Sequence, residues 1–192
     1  MHVATYIVLA LAFGINAMLL MRRCAEATPV KLTKGIAIML IVSVINCLLF
    51  LLGMSIGDLL RIEGSNAPQI YARTNAYIFL GMVVIVTLRM LLPYLRRKPQ
   101  LAVFDLRNWG SIIAMAVANG INILLIGLGL GFVNALSNSI HWAVWPLFIS
   151  TLLLGYIGMM FGRQKVEMRP RRWMIVACIL ILGCAIAAVV NA

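Results

Sequence analysis

Acidic side chains are nearly missing from this sequence: Glu26, Asp58, Glu63, Asp105 and Glu167 are the only five among 192 residues. Charge of either sign is scarce, at 11% of residues against about 25% in a soluble globular domain, while 64% are hydrophobic. Those figures exclude a water-soluble enzyme, a nucleic-acid-binding module and a disordered chain. Histidine is limited to His2 and His141, and Cys24, Cys47, Cys178 and Cys184 lack the close spacing of a zinc site. No structural metal site and no cofactor are expected. The apolar segments contain no Ser/His or paired-carboxylate arrangement, which speaks against an intramembrane hydrolase. The chain reads as a non-enzyme.

What is present is apolar runs. A bilayer core needs about 20 consecutive apolar residues as a helix, and six stretches qualify: Val3–Met21, Gly35–Ile56, Ala72–Leu92, Ser111–Leu136, Ile140–Gly162 and Trp173–Val190. Little remains outside them, so the expected fold class is an all-α membrane protein, one transmembrane domain over residues 1–192. The first run lacks the basic segment that precedes the apolar stretch of a signal peptide, and Arg22 and Arg23 follow it directly. It reads as a retained helix.

The sixteen Lys and Arg residues, which give a net charge of +11, fall in alternate loops. Arg22, Arg23, Lys31 and Lys34 follow the first run; Arg96, Arg97, Lys98 and Arg107 follow the third, with Arg89 near that helix end; Arg163, Lys165, Arg169, Arg171 and Arg172 follow the fifth. The second loop has only Arg61 and Arg73, and the fourth loop and both tails have none. Basic loops face the cytoplasm, so both termini are expected on the other side. Their partner is membrane lipid through its headgroups, not nucleic acid.

The two halves resemble one another. Ala10, Ala12, Gly14, Ile15 and Asn16 in the first run match Ala116, Ala118, Gly120, Ile121 and Asn122 in the fourth at an offset of 106 residues. Gly53 and Gly57 in the second match Gly158 and Gly162 in the fifth at nearly the same offset. Each half, about 1–95 and 108–192, holds an odd number of spans, so the second enters the membrane inverted. Inverted repeats mark many secondary transporters, whose substrate site lies near the midplane at the repeat interface. Asn16 and Asn122 fall mid-helix, and Asn119 shares a face with Asn122. Asn46 with Ser43, and Thr151 with Ser150, add neutral oxygens; Thr87 is a weaker candidate. The pairs Ala10/Gly14, Ala116/Gly120, Gly53/Gly57 and Gly158/Gly162 are small residues four apart, suited to close helix packing. Pro146 weakens backbone bonding early in the fifth helix.

These residues resemble the MntP-type manganese efflux pumps of the LysE superfamily, which have six helices in two inverted three-helix repeats. The segments from Phe13 to Ala17 and from Asn119 to Ile123 look like the family's two motifs, with Asn16 and Asn122 where the family has Asp. Asn46, seven before Gly53, matches an acidic or amide position, and Thr151, seven before Gly158, matches a threonine. Leu80 and Gly81 fit the third helix, but Thr87 stands where Glu is expected. Every family carboxylate that can be placed is thus neutral here. The resemblance implies a transporter of Mn²⁺ or a related cation in the cell inner membrane, with Asn16, Asn122, Asn119, Asn46 and Thr151 as substrate ligands and Asn16 and Asn122 on the metal. The neutral positions leave two alternatives: transport of a neutral or weakly charged solute, and a non-transporting membrane scaffold. Buried carboxylate coupling is unavailable. A homo-oligomer is left open.

Overall fold

A computed structural model describes residues 3–62, 68–95, 103–133 and 136–190, side chains at Val3, Pro68 and 136–141 excepted. His2, Glu63, Arg96, Arg97 and Lys98 lie outside the described residues. Six helices follow one another: α1 (Val3–Ala27), α2 (Leu32–Leu59), α3 (Pro68–Leu95), α4 (Trp109–Val133), α5 (Leu136–Arg163) and α6 (Pro170–Val190). All six are long and apolar enough to cross a membrane. Each described helix closes most of its backbone bonds within itself, as a span in lipid requires.

The helices differ from the apolar runs at their ends. The fourth run is described as helix from Trp109 to Val133, residues 134–135 lying outside the described residues, and α5 includes Leu136–Arg163, so the fifth helix extends further toward the N-terminus than the expected Ile140. α1 continues past Met21 through Arg22 and Arg23 to Ala27, because good helix formers extend backbone pairing beyond the apolar core. Pro68 and Pro170 open α3 and α6, where the missing N–H costs no bond. Pro146 and Pro93 lie inside α5 and α3, and without an amide hydrogen each removes one bond from the helical ladder.

α1 packs along α5 and α2 along α4 most extensively, with α2 also against α5, α3 against α6 and α4, and α6 against α1. At one end, Arg22 Nη2 donates to the Val166 carbonyl oxygen (2.8 Å) and Lys34 Nζ to that of Arg107 (3.0 Å). Three links, α1–α2, α3–α4 and α5–α6, therefore meet at that end. Arg23 stacks on Tyr94 and Lys34 on Trp109 there, 4.7 and 5.3 Å from the ring centres. Outward faces are apolar, with Leu48, Leu153 and Ile179 exposed as lipid-facing residues should be. Trp109, Trp142 and Trp173 are exposed toward helix starts, as interfacial anchors are.

The interior divides in two. One cluster holds Phe13, Phe50, Met54, Ile126, Leu130 and Leu147, joined by residues of α3 and α6. The other, toward the linked end, holds Met21, Cys24, Met39, Val42, Met115 and Met159. Along α2 the division falls between Val42 and Cys47, along α4 between Ala116 and Ile123, and along α5 between Leu147 and Met159.

Candidate functional site

Buried polar side chains fill that division. Ser43 and Asn46 occupy it on α2, Asn119 and Asn122 on α4, and Ser150 and Thr151 on α5, all buried. Asn16 on α1 is half-buried. Its Nδ2 donates to Asn119 Oδ1 at 2.7 Å, joining helices that belong to different halves of the sequence.

Few of the other groups are paired. Ser43 Oγ, both side-chain polar atoms of Asn46, Asn119 Nδ2, Asn122 Oδ1 and Thr151 Oγ1 are buried and find no hydrogen-bond partner within the protein. An unpaired buried polar group costs roughly 1–3 kcal/mol. Several in one layer form a set of donors and acceptors with capacity to spare. Ser150 differs, for its Oγ donates to the Ala10 carbonyl oxygen at 2.7 Å and thereby ties α5 to α1. Thr87 is buried with its Oγ1 unpaired, but it lies on α3 beside α6, where Cys178 Sγ approaches the Thr87 carbonyl oxygen at 3.9 Å. No described contact joins it to the asparagines.

Glycines let the helices close on this layer. A Cβ on Gly14 would sit 2.6 Å from Leu154 Cδ1 and 2.9 Å from the Ser150 carbonyl oxygen. One on Gly120 would strike Leu49 Cδ1 and stand 3.2 Å from Asn46 Oδ1, which places the Asn46 amide against α4 between Asn119 and Asn122. Further along, Gly158 and Gly162 lie on the carbonyl oxygens of Met18 and Arg22, and Gly53 and Gly57 on those of Leu124 and Leu128. The α1–α5 and α2–α4 contacts therefore correspond position by position, at an offset of 106 residues from α1 to α4 and of 105 from α2 to α5. Sequence reasoning missed Gly127 and Gly131 of α4, which face the carbonyl oxygens of Phe50 and Met54. Their spacing of four was the available signal.

The layer is closed on both sides. Phe13, Phe50, Ile126 and Leu147, each about a turn from a polar residue of the layer, line a void of about 10 Å³ on one side. That volume suffices for one water at most, and its apolar walls keep it dry. On the other side stand Val42, Met115 and Ala116. Among the described residues, no three His, Cys, Asp or Glu side chains come together to hold a metal ion. Any cation held here would meet amide and hydroxyl oxygens.

A family model described as "Putative manganese efflux pump" matches residues 29–188. The matched segment covers α2 to α6 and begins after α1, so Asn46, Asn119, Asn122 and Thr151 lie within it whereas Gly14 and Asn16 do not. Asn16 is tied to the matched part by its bond to Asn119. No curated protein matches, and no solved structure matches.

Proposed function

The chain belongs to the MntP family of putative manganese efflux pumps, and from that premise we propose that it exports Mn²⁺ or a related cation by alternating access through the asparagine layer. The observation that carries this reading is the layer itself: buried, unpaired oxygens and amides on α2, α4 and α5 beside the Asn16–Asn119 bond. Mn²⁺ suits carbonyl and water ligands as well as carboxylates. Asn16, Asn122, Asn119, Asn46 and Thr151 are the proposed ligands, with Asn16 and Asn122 on the metal. With neutral ligands alone the ion keeps part of its water shell and is held weakly.

Residues of about 1–95 and 108–192 are proposed to be inverted repeats within one transmembrane domain. The paired glycine contacts, Gly158 on Met18 and Gly53 on Leu124, support that relation. α1 rocking against α5, and α2 against α4, would open one apolar cluster while the other stays shut. Basic residues in the three gathered links support a cytoplasmic assignment for that end, with both termini outside. The family supports an inner-membrane protein with a small ion as its partner and no enzymatic activity.

A second reading, transport of a neutral polar solute, is favoured by the mixture of free donors and acceptors and the lack of charge in the layer. One assay separates them. Expression in an efflux-deficient strain is expected to lower cellular Mn²⁺ and restore growth in excess manganese; a folded, membrane-inserted protein that does neither would remove the cation reading.

A further inference from the structure

Export against a gradient requires a coupling ion, and the layer limits which one. Among the described residues, Asp58 is the acid closest to the interior, and it sits at the end of α2 with its carboxylate 3.6 Å from the Arg61 guanidinium. His141 lies ten residues before Thr151 on α5, about 15 Å along a helix. Cys47, next to Asn46, turns its thiol to the Val144 carbonyl oxygen at 3.9 Å. On α1, Arg22 and Arg23 lie beyond the layer and point to Val166 and Tyr94 at the linked end. Among the described side chains, no carboxylate of α1, α2, α4 or α5 faces the asparagines, and the layer itself offers no group that relays a proton.

The layer does offer neutral oxygens. Asn46 Oδ1, Asn122 Oδ1, Ser43 Oγ and Thr151 Oγ1 are each buried and unpaired, and their residues are at least nine-tenths buried. Neutral carbonyl and hydroxyl dipoles can replace the hydration of a singly charged ion. The cost of burying charge rises as its square, so a divalent ion costs about four times as much as a monovalent one of equal radius. A doubly charged cargo is then loosely held, and a singly charged cation displaces it readily.

Resting on the transport reading above, we propose that the coupling ion is an alkali cation, Na⁺, which exchanges with the cargo at these same oxygens. Exchange that expels a cation must be driven by an ion moving inward, and the cellular Na⁺ gradient has that direction whereas that of K⁺ does not. No proton is carried in the cycle.

The test uses the full chain in liposomes that enclose an Mn²⁺-quenched dye, with Mn²⁺ added outside. Sodium inside and none outside is expected to speed Mn²⁺ entry about fivefold or more. Equal gradients of K⁺ or of pH are expected to leave the rate unchanged. Thr151→Val, which keeps the side-chain shape, should abolish the Na⁺ stimulation, and Thr151→Ser should retain it. Stimulation by the pH gradient or equally by K⁺, or Mn²⁺ flux indifferent to every gradient, overturns the Na⁺ assignment and leaves the transport reading intact. Folded protein that passes no Mn²⁺ under any gradient overturns both.

Discussion

Asn16 Nδ2 donates to Asn119 Oδ1 across 2.7 Å, so the polar layer is bridged between α1 and α4 and not between the equivalent residues Asn16 and Asn122. The bond fixes the orientation of both amides. It leaves Asn119 Nδ2 and Asn122 Oδ1 unpaired inside the bundle, one a donor and the other an acceptor.

Asn119→Ala removes the acceptor of that bond. Interhelical hydrogen bonds in membranes contribute about 0.6–2 kcal/mol, so a small fall in thermal stability in detergent is expected. Thr87→Val, which removes a hydroxyl with no partner to lose, is expected to be neutral or stabilising. A larger loss for Thr87→Val than for Asn119→Ala would contradict the assignment of the bond.

Glycine substitutions separate contact from open space. Gly53→Ala and Gly158→Ala drive a methyl group into the carbonyl oxygens of Leu124 and Met18, which are backbone and cannot turn aside. Overpacking of this kind costs about 1–3 kcal/mol. A Cβ on Gly183 meets nothing within 4 Å, and Gly183→Ala should be neutral or stabilising by up to about 1 kcal/mol. Unfolding temperatures of the three variants check the order.

Restoring a carboxylate should strengthen divalent binding. Asn122→Asp places an anionic oxygen in the layer, and Mn²⁺ is expected to bind about tenfold more tightly or better. Equilibrium binding followed by the Mn²⁺ spin-resonance signal reads this directly. Equal affinity in both proteins would place the ion elsewhere.

All four cysteines are buried, so a membrane-impermeant thiol reagent should leave the chain unlabelled. Lys165→Cys, in the α5–α6 link, should then label only from the cytoplasmic side, and Leu59→Cys, at the far end of α2 with 85% of its surface exposed, only from the opposite side. The reverse pattern would invert the proposed orientation.

The spans were legible because a bilayer forces about 20 apolar residues into each helix, a pattern composition alone reveals. Their ends were not, since Arg22 to Ala27 continue α1 by backbone pairing that hydropathy does not record. The paired Gly and Asn positions stood out because small residues recur at a spacing of four. Which amide meets which depends on the rotation and height of helices distant in sequence, so the Asn16–Asn119 bond was hidden. Ser150 looked like a ligand by its position, yet its hydroxyl is committed to the Ala10 carbonyl oxygen. Thr87 aligned with a family position but lies on α3, where Cys178 of α6 approaches its carbonyl oxygen, and no described hydrogen bond joins it to the asparagines.

Transport through the asparagine layer is tested most directly by Mn²⁺ flux into liposomes containing the Asn16→Leu, Asn122→Leu double variant, compared with wild type and Thr87→Val. The expected result is a loss of about tenfold or more in the double variant, provided it folds, with Thr87→Val at the wild-type rate. A folded double variant that carries Mn²⁺ as fast as wild type would contradict the assignment of the layer as the path.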